Sequence, residues 1–163
     1  CWTLIFAGGK LKNTARHKPQ AATHMQDGRD DMRKTTIPTP TEDAEQIALM
    51  QWAEMQSGKY PQLKMLFHIP NGGKRNPREA ARFKQMGVKP GVPDLYLPIK
   101  RGEYYGLFVE LKRQKGGIVS QYQRYWLQNL RAEGYAAEVC RGCNDAQGVI
   151  LRYLIGQYKE REL

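Results

Sequence analysis

Beyond about residue 37 the apolar positions fall into regular rhythms, helical in some stretches and alternating in others. Thr39-Pro40-Thr41-Glu42 reads as a capping box, with Thr39 the cap, Pro40 the first helical residue and Glu42 reaching back. The helix it opens runs to about Gln56, with Ala44, Ile47, Ala48, Trp52 and Met55 on its inner face and Glu45 beside that face. Residues 65–69 read as a short buried strand, followed by the turn Pro70-Asn71-Gly72-Gly73. Asn76-Pro77-Arg78-Glu79 is a second capping box, opening a short helix that carries Ala80, Phe83 and Met86 and closes at Gly87. Strands over 92–97 and 105–112 flank the turn Lys100-Arg101-Gly102-Glu103. Ser120-Gln121-Tyr122-Gln123 caps a third helix, whose inner stripe is Gln123, Trp126, Leu127 and Leu130. A strand over 136–140 follows. Asn144-Asp145-Ala146-Gln147 then caps a last helix with Val149, Ile150, Tyr153 and Leu154 on its buried side.

This order predicts an α/β domain: a central mixed sheet of about four strands, flanked by helices on both faces. Residues 1–36 show no sustained period of either kind and are rich in Lys, Arg, Gln, Asp and Thr. They are expected to be a disordered N-terminal extension, with the ordered domain spanning 37–163.

The chain has 163 residues, 40% of them apolar, enough for one domain with a real core. Its formal charge of +10 points to a polyanionic partner, nucleic acid first and an acidic membrane surface second. No apolar run approaches the ~20 residues needed to span a bilayer. Three cysteines do not make a disulfide framework, which fits a reducing, intracellular setting. Cys140 and Cys143 form a Cys-x-x-Cys spacing, but no second pair follows at zinc-ligand spacing, so Cys140 is expected to be a buried strand residue.

The chemistry gathers between Gly91 and Lys112. Asp94 follows Pro93 at the start of one apolar run, and Glu110 and Lys112 end another. Residues two apart on a strand share a face, so Glu110 and Lys112 project together, and Asp94 reaches that face if the strands pair as a hairpin. Two carboxylates beside an ammonium suit metal-dependent phosphodiester hydrolysis. Asp94 and Glu110 would hold a divalent ion, the Leu111 carbonyl can be a further oxygen ligand, and Lys112 would orient the attacking water. Glu45 can approach if the first helix packs over the sheet, and Gln123 is a polar residue on an inward stripe. Taken alone, a Glu-x-Lys pair is an ordinary solvated face, and Gln123 is explained equally well as the third residue of its capping box. Basic residues lie on both sides of the site. Lys74, Arg75, Arg78, Arg82, Lys84 and Lys89 precede it, and Arg113, Lys115 and Arg124 follow, as phosphate contacts to a duplex would require. Gly72-Gly73 and Gly116-Gly117 would let backbone amides approach a phosphate.

In order, these residues resemble the PD-(D/E)xK nuclease superfamily and, more narrowly, the virus-type replication-repair nuclease (VRR-NUC) family. The resemblance covers about residues 41–158. It rests on Glu45, the His68-Ile69-Pro70-Asn71-Gly72-Gly73 segment, Gly87 through Leu95, Val109-Glu110-Leu111-Lys112, Ser120 through Gln123 and Gly134-Tyr135. It implies a restriction-endonuclease-like core and Mg²⁺ or Mn²⁺ held by Asp94, Glu110 and Glu45. It also implies a catalytic Lys112 with Gln123 in the site. The expected activity is cleavage of branched or structured DNA, Holliday junctions included, by a homodimer in the cytoplasm of a bacterium hosting a phage or prophage. A non-catalytic DNA-binding module of the same fold and a sequence-specific restriction-type endonuclease are the alternatives. The first cuts nothing in Mg²⁺ or Mn²⁺; the second cuts one linear duplex sequence.

Overall fold

The computed structural model describes residues 38–71 and 76–162. Four strands form one sheet in the order β1 (Phe67–His68), β2 (Leu95–Leu97), β3 (Leu107–Lys112) and β4 (Ala136–Arg141). The first three run antiparallel to their neighbours, and β4 lies parallel to β3, with Leu107 opposite Ala136 and Lys112 opposite Arg141. A parallel neighbour requires a crossover. Helix α3 (Gln121–Ala132) supplies it.

Alternation along the strands sorts the two faces. Leu95, Leu97, Leu107, Val109, Leu111, Ala136 and Cys140 form the core face, packed with Leu49 and Ala53 of α1 (Glu42–Gln56) and Val149, Ile150 and Tyr153 of α4 (Cys143–Leu154). The opposite face carries Glu110, which Gln123 of α3 reaches by a hydrogen bond. Helices thus cover both faces of a mixed sheet, as the sequence predicts. Helix α2 (Pro77–Gln85) lies at the surface, with none of its residues fully buried.

Three local expectations are corrected. Helix α1 is capped by Thr41, whose hydroxyl accepts from the Ala44 amide at 3.2 Å, so Pro40 lies outside the helix. The buried stripe is accordingly Glu45, Leu49 and Ala53, while Ile47 and Met55 are 59% and 74% exposed. Of the stretch expected as a buried strand over 65–69, Met65 ends a 3₁₀ turn (Pro61–Met65) and only Phe67 and His68 pair with β2, both of them exposed. Helix α4 begins at Cys143 after Gly142, which has no side chain to cap it; Asn144, expected as the cap, lies inside the helix, and Asp145 accepts from the Arg141 amide at 2.9 Å.

The outer edge of β4 is closed by side chains rather than by another strand. Arg131 Nε donates to the Ala137 carbonyl at 2.8 Å and Arg161 Nη2 to that of Val139 at 3.0 Å. Buried Glu138 anchors both, accepting from Arg161 at 2.8 Å, Arg131 at 3.2 Å and the Tyr158 hydroxyl at 2.6 Å. Capping an open edge in this way denies it to a second chain. Among the described residues no helix is long and apolar enough to cross a membrane.

Candidate active site

The site lies where β2 begins and β3 ends. Leu95 pairs with Val109, so one step further along the antiparallel register Asp94 faces Glu110. The Asp94 backbone is held from β1: its carbonyl accepts from the Ile69 amide at 2.7 Å and pairs with His68 Nδ1 at 2.8 Å. Asn71 ties the same approach down by donating to the Val92 carbonyl at 2.7 Å. This is the work of the His68-Ile69-Pro70-Asn71 segment; the Gly72-Gly73 pair that follows lies outside the described residues.

Asp94 Oδ2 accepts from the Leu111 amide at 2.8 Å. In a strand the amide and carbonyl of one residue point to the same edge, so the Leu111 carbonyl faces the Asp94 side. Glu110 is 0% exposed. Its Oε1 takes two donors, the Lys112 ammonium at 2.7 Å and the Gln123 side-chain amide. Its Oε2 is buried with no partner among the described residues. Burial, then the charge of Asp94, pushes the Glu110 carboxyl up to about 7, against the pull of Lys112. Asp94 is raised too, again by burial first, with the Leu111 amide and Lys112 opposing.

Lys112 is buried because the loop after β3 folds back over it: a methyl group at Gly117 would sit 2.9 Å from the Lys112 Cβ. Only a glycine lets the loop pass so close. Gln123 resolves its two readings by serving both. Its Oε1 accepts from the Ser120 amide at 2.8 Å, completing the capping box, while its Nε2 donates to Glu110. The cap therefore fixes the rotamer that reaches the carboxylate.

Glu45 does not join this group. Its Oε2 accepts from the Cys143 amide at 2.7 Å, supplying the cap that α4 lacks, and its Oε1 accepts from Gln114 at 2.8 Å. The first-helix carboxylate beside the site is Glu42, one turn earlier. Its Oε1 lies 3.9 Å from the Lys112 ammonium and accepts from the Arg113 amide at 3.4 Å. Glu42 also raises the pKa of both Asp94 and Glu110 through its charge. Sequence reasoning assigned Glu42 to a capping box; the true cap at Thr41 was the signal that would have released it.

Can these residues hold a divalent cation? Asp94, Glu110 and the Leu111 carbonyl are all hard oxygen donors, the kind Mg²⁺ takes. An orphaned buried carboxylate oxygen is costly without a partner, and Glu110 Oε2 is such an atom beside Asp94. The donors fit. Among the described residues no three Asp, Glu, His or Cys side chains gather for a metal, so the protein side would combine two carboxylates with a backbone oxygen.

Of the basic residues, Arg78, Lys89, Arg113, Lys115 and Arg124 are exposed, and none is ion-paired with a described residue. Lys74 and Arg75 lie outside the described residues.

The sequence profile of the VRR-NUC domain matches residues 40–144, a span that holds the whole site. The chain belongs to the VRR-NUC family. A solved VRR_NUC domain protein is similar to it, at 33% identity and a TM-score of 0.64, over 76% of this chain and 100% of that one. No curated protein sequence matches the chain. VRR-NUC membership makes this a nuclease-type domain, which agrees with a paired-carboxylate and lysine site on an open mixed sheet.

Proposed function

We propose that the chain is a metal-dependent DNA endonuclease that hydrolyses phosphodiester bonds, with branched or otherwise structured DNA as its substrate. The observation that supports this best is Glu110 Oε2, a buried carboxylate oxygen without a partner among the described residues, beside Asp94 and next to the Lys112 ammonium. An Mg²⁺ or Mn²⁺ ion held by Asp94, Glu110 and the Leu111 carbonyl would acidify a water and offset charge on the phosphoryl oxygens.

The chain's own groups do the rest. Lys112, fixed by Glu110 and near Glu42, is a buried positive charge placed to hold an attacking water and to stabilise the phosphate oxyanion. Gln123 keeps Glu110 in one rotamer through its cap-locked amide. Asp94 is locked at both ends, its backbone by Ile69 and His68 and its carboxylate by the Leu111 amide, so the two carboxylates stay opposed without reorganisation. Exposed Arg78, Lys89, Arg113, Lys115 and Arg124 would neutralise duplex phosphates around the site without reading sequence.

Incubation with Mg²⁺ on a four-way junction, a flap and a linear duplex tests the reading. Cleavage of the branched forms is expected, abolished in Asp94→Ala with junction binding kept within about threefold. A wild-type chain that cuts none of them in Mg²⁺ or Mn²⁺ would overturn it, and cutting confined to one linear sequence would move it to the restriction-type class.

A further inference from the structure

Helix α3 turns one side to Glu110 and another to solvent, and the solvent side is aromatic. Tyr122 and Tyr125 are 66% and 62% exposed. With Trp126 and Asn129 they fall at helical spacing along one stripe. Trp126 is half-buried and pinned, its indole N–H donating to the Pro90 carbonyl at 3.1 Å. Together with Lys89 and Pro90 these four line an open cleft of about 400 Å³. No acidic side chain lines it.

The cleft is built into the site rather than placed near it by chance. Gly91 has a φ of 83°, and a methyl group there would lie 2.6 Å from the Tyr122 backbone and 2.8 Å from the Gln123 amide nitrogen. The segment that carries Pro90 and leads to Asp94 is thus pressed directly onto the first turn of α3. Tyr122 is the sequence neighbour of Gln123, which touches Glu110.

We propose that Tyr122, Tyr125 and Trp126, with Lys89, form a platform on which unpaired bases of the substrate stack next to the scissile phosphate. The inference rests on the nuclease reading for the meaning of that phosphate, and it names the substrate: DNA with a single-stranded segment adjoining the cut. Flat aromatic faces accept any base, and a cation beside them attracts the backbone. A lysine and no acid matches the charge of a nucleic acid strand, and a surface of tyrosines with polar tips suits bases that pair with water on one edge. Apart from Pro90, no aliphatic side chain of the kind an apolar protein partner would engage lines the cleft.

Binding is measured on the full chain in EDTA, by anisotropy of fluorescein-labelled oligo(dT) and of a blunt duplex of equal length. The Tyr122→Ala/Tyr125→Ala double variant is expected to lose at least about tenfold in oligo(dT) affinity and under about twofold on the duplex. Phe at both positions should restore oligo(dT) binding, because the ring face is what stacks. Lys89→Ala should reduce the salt dependence of oligo(dT) binding by about one counterion. Equal loss on both probes, or no loss on either, overturns the proposal. So does a drop in oligomeric order of the double variant by sedimentation, which would assign the cleft to a second copy of the chain. Because no cleavage is read, failure of the nuclease reading is separable. A chain that binds oligo(dT) through these rings and cuts nothing sinks only that reading, and one that cuts branched DNA with unaltered oligo(dT) binding sinks only this.

Discussion

Solvent does not reach the Glu110 carboxyl, so its proton is governed by burial and by Asp94 and Lys112. In the folded chain it stays protonated up to about pH 7, against 4.5 for an ordinary glutamate. Between those two values the folded state holds a proton the unfolded state has lost. Stability is therefore fully present below about pH 4.5 and falls as pH rises through 7, with Asp94 acting in the same direction. At about 1.4 kcal/mol per unit the loss is on the order of 3–4 kcal/mol. Urea denaturation in EDTA at pH 5 and pH 8 measures it. Wild type should be less stable at pH 8, and Glu110→Gln should remove most of the slope; parallel slopes in the two proteins would contradict the assignment. Mg²⁺ added at pH 8 should return stability to wild type and not to Glu110→Gln.

The two first-helix glutamates separate at the scale of the element. Glu45 caps α4 from 98 residues away, and replacing it leaves the Cys143 amide without its acceptor. Glu45→Ala should cost about 1–3 kcal/mol by chemical denaturation. Glu42→Ala touches no cap and should leave stability within about 0.5 kcal/mol, while cleavage falls at least about tenfold through the loosened Lys112. Equal stability loss in both variants would mean that α1 contributes only as a packing element. Gly91→Ala tests the other junction of elements. It meets both a left-handed backbone and the α3 backbone at 2.6 Å, and should destabilise by more than about 2 kcal/mol.

These same elements show what the sequence could reveal. Asp94, Glu110 and Lys112 were legible because strand alternation and hairpin pairing are local rules that place side chains on a face. The stripe of α4 and Leu127 of α3 were legible for the same reason, since Leu127, Val149, Ile150 and Tyr153 follow helical spacing into the core, whereas Trp126, expected on the inner stripe, is half-buried at the open cleft. Glu42 and Glu45 were not. Two threonines flank Pro40, and a start at Thr39 makes Glu42 a capping residue, while the apolar spacing sets the inner face one residue away from the stripe Glu45, Leu49 and Ala53 that is buried. Nor can spacing reveal that α4, begun on a glycine, takes its cap from α1. The aromatic stripe of α3 was visible as residues, but its exposure depends on which side of the helix the sheet covers.

At the scale of the whole molecule, the fold depends on a short C-terminal segment crossing back over β4. Arg161 reaches Glu138, the Val139 carbonyl and Asp145 together. Arg161→Ala leaves the buried Glu138 to Arg131, Tyr158 and the backbone amide of residue 161, and should destabilise by about 2 kcal/mol. The measurement is thermal unfolding with turbidity recorded alongside. A lower melting temperature with earlier aggregation is expected, since the uncovered edge can pair with another chain. An unchanged melting temperature would show that Arg131 and Tyr158 suffice.

That closure also sets an order of events at the ribosome. Glu138 and Arg161 are 23 residues apart, so β4 leaves the polymerising end before the side chain that covers it has been added. At ordinary translation speeds the gap is on the order of 1–5 s. The same order holds as the chain emerges: Arg131 can cover the edge at Ala137 at once, while the Val139 half stays open until Arg161 follows.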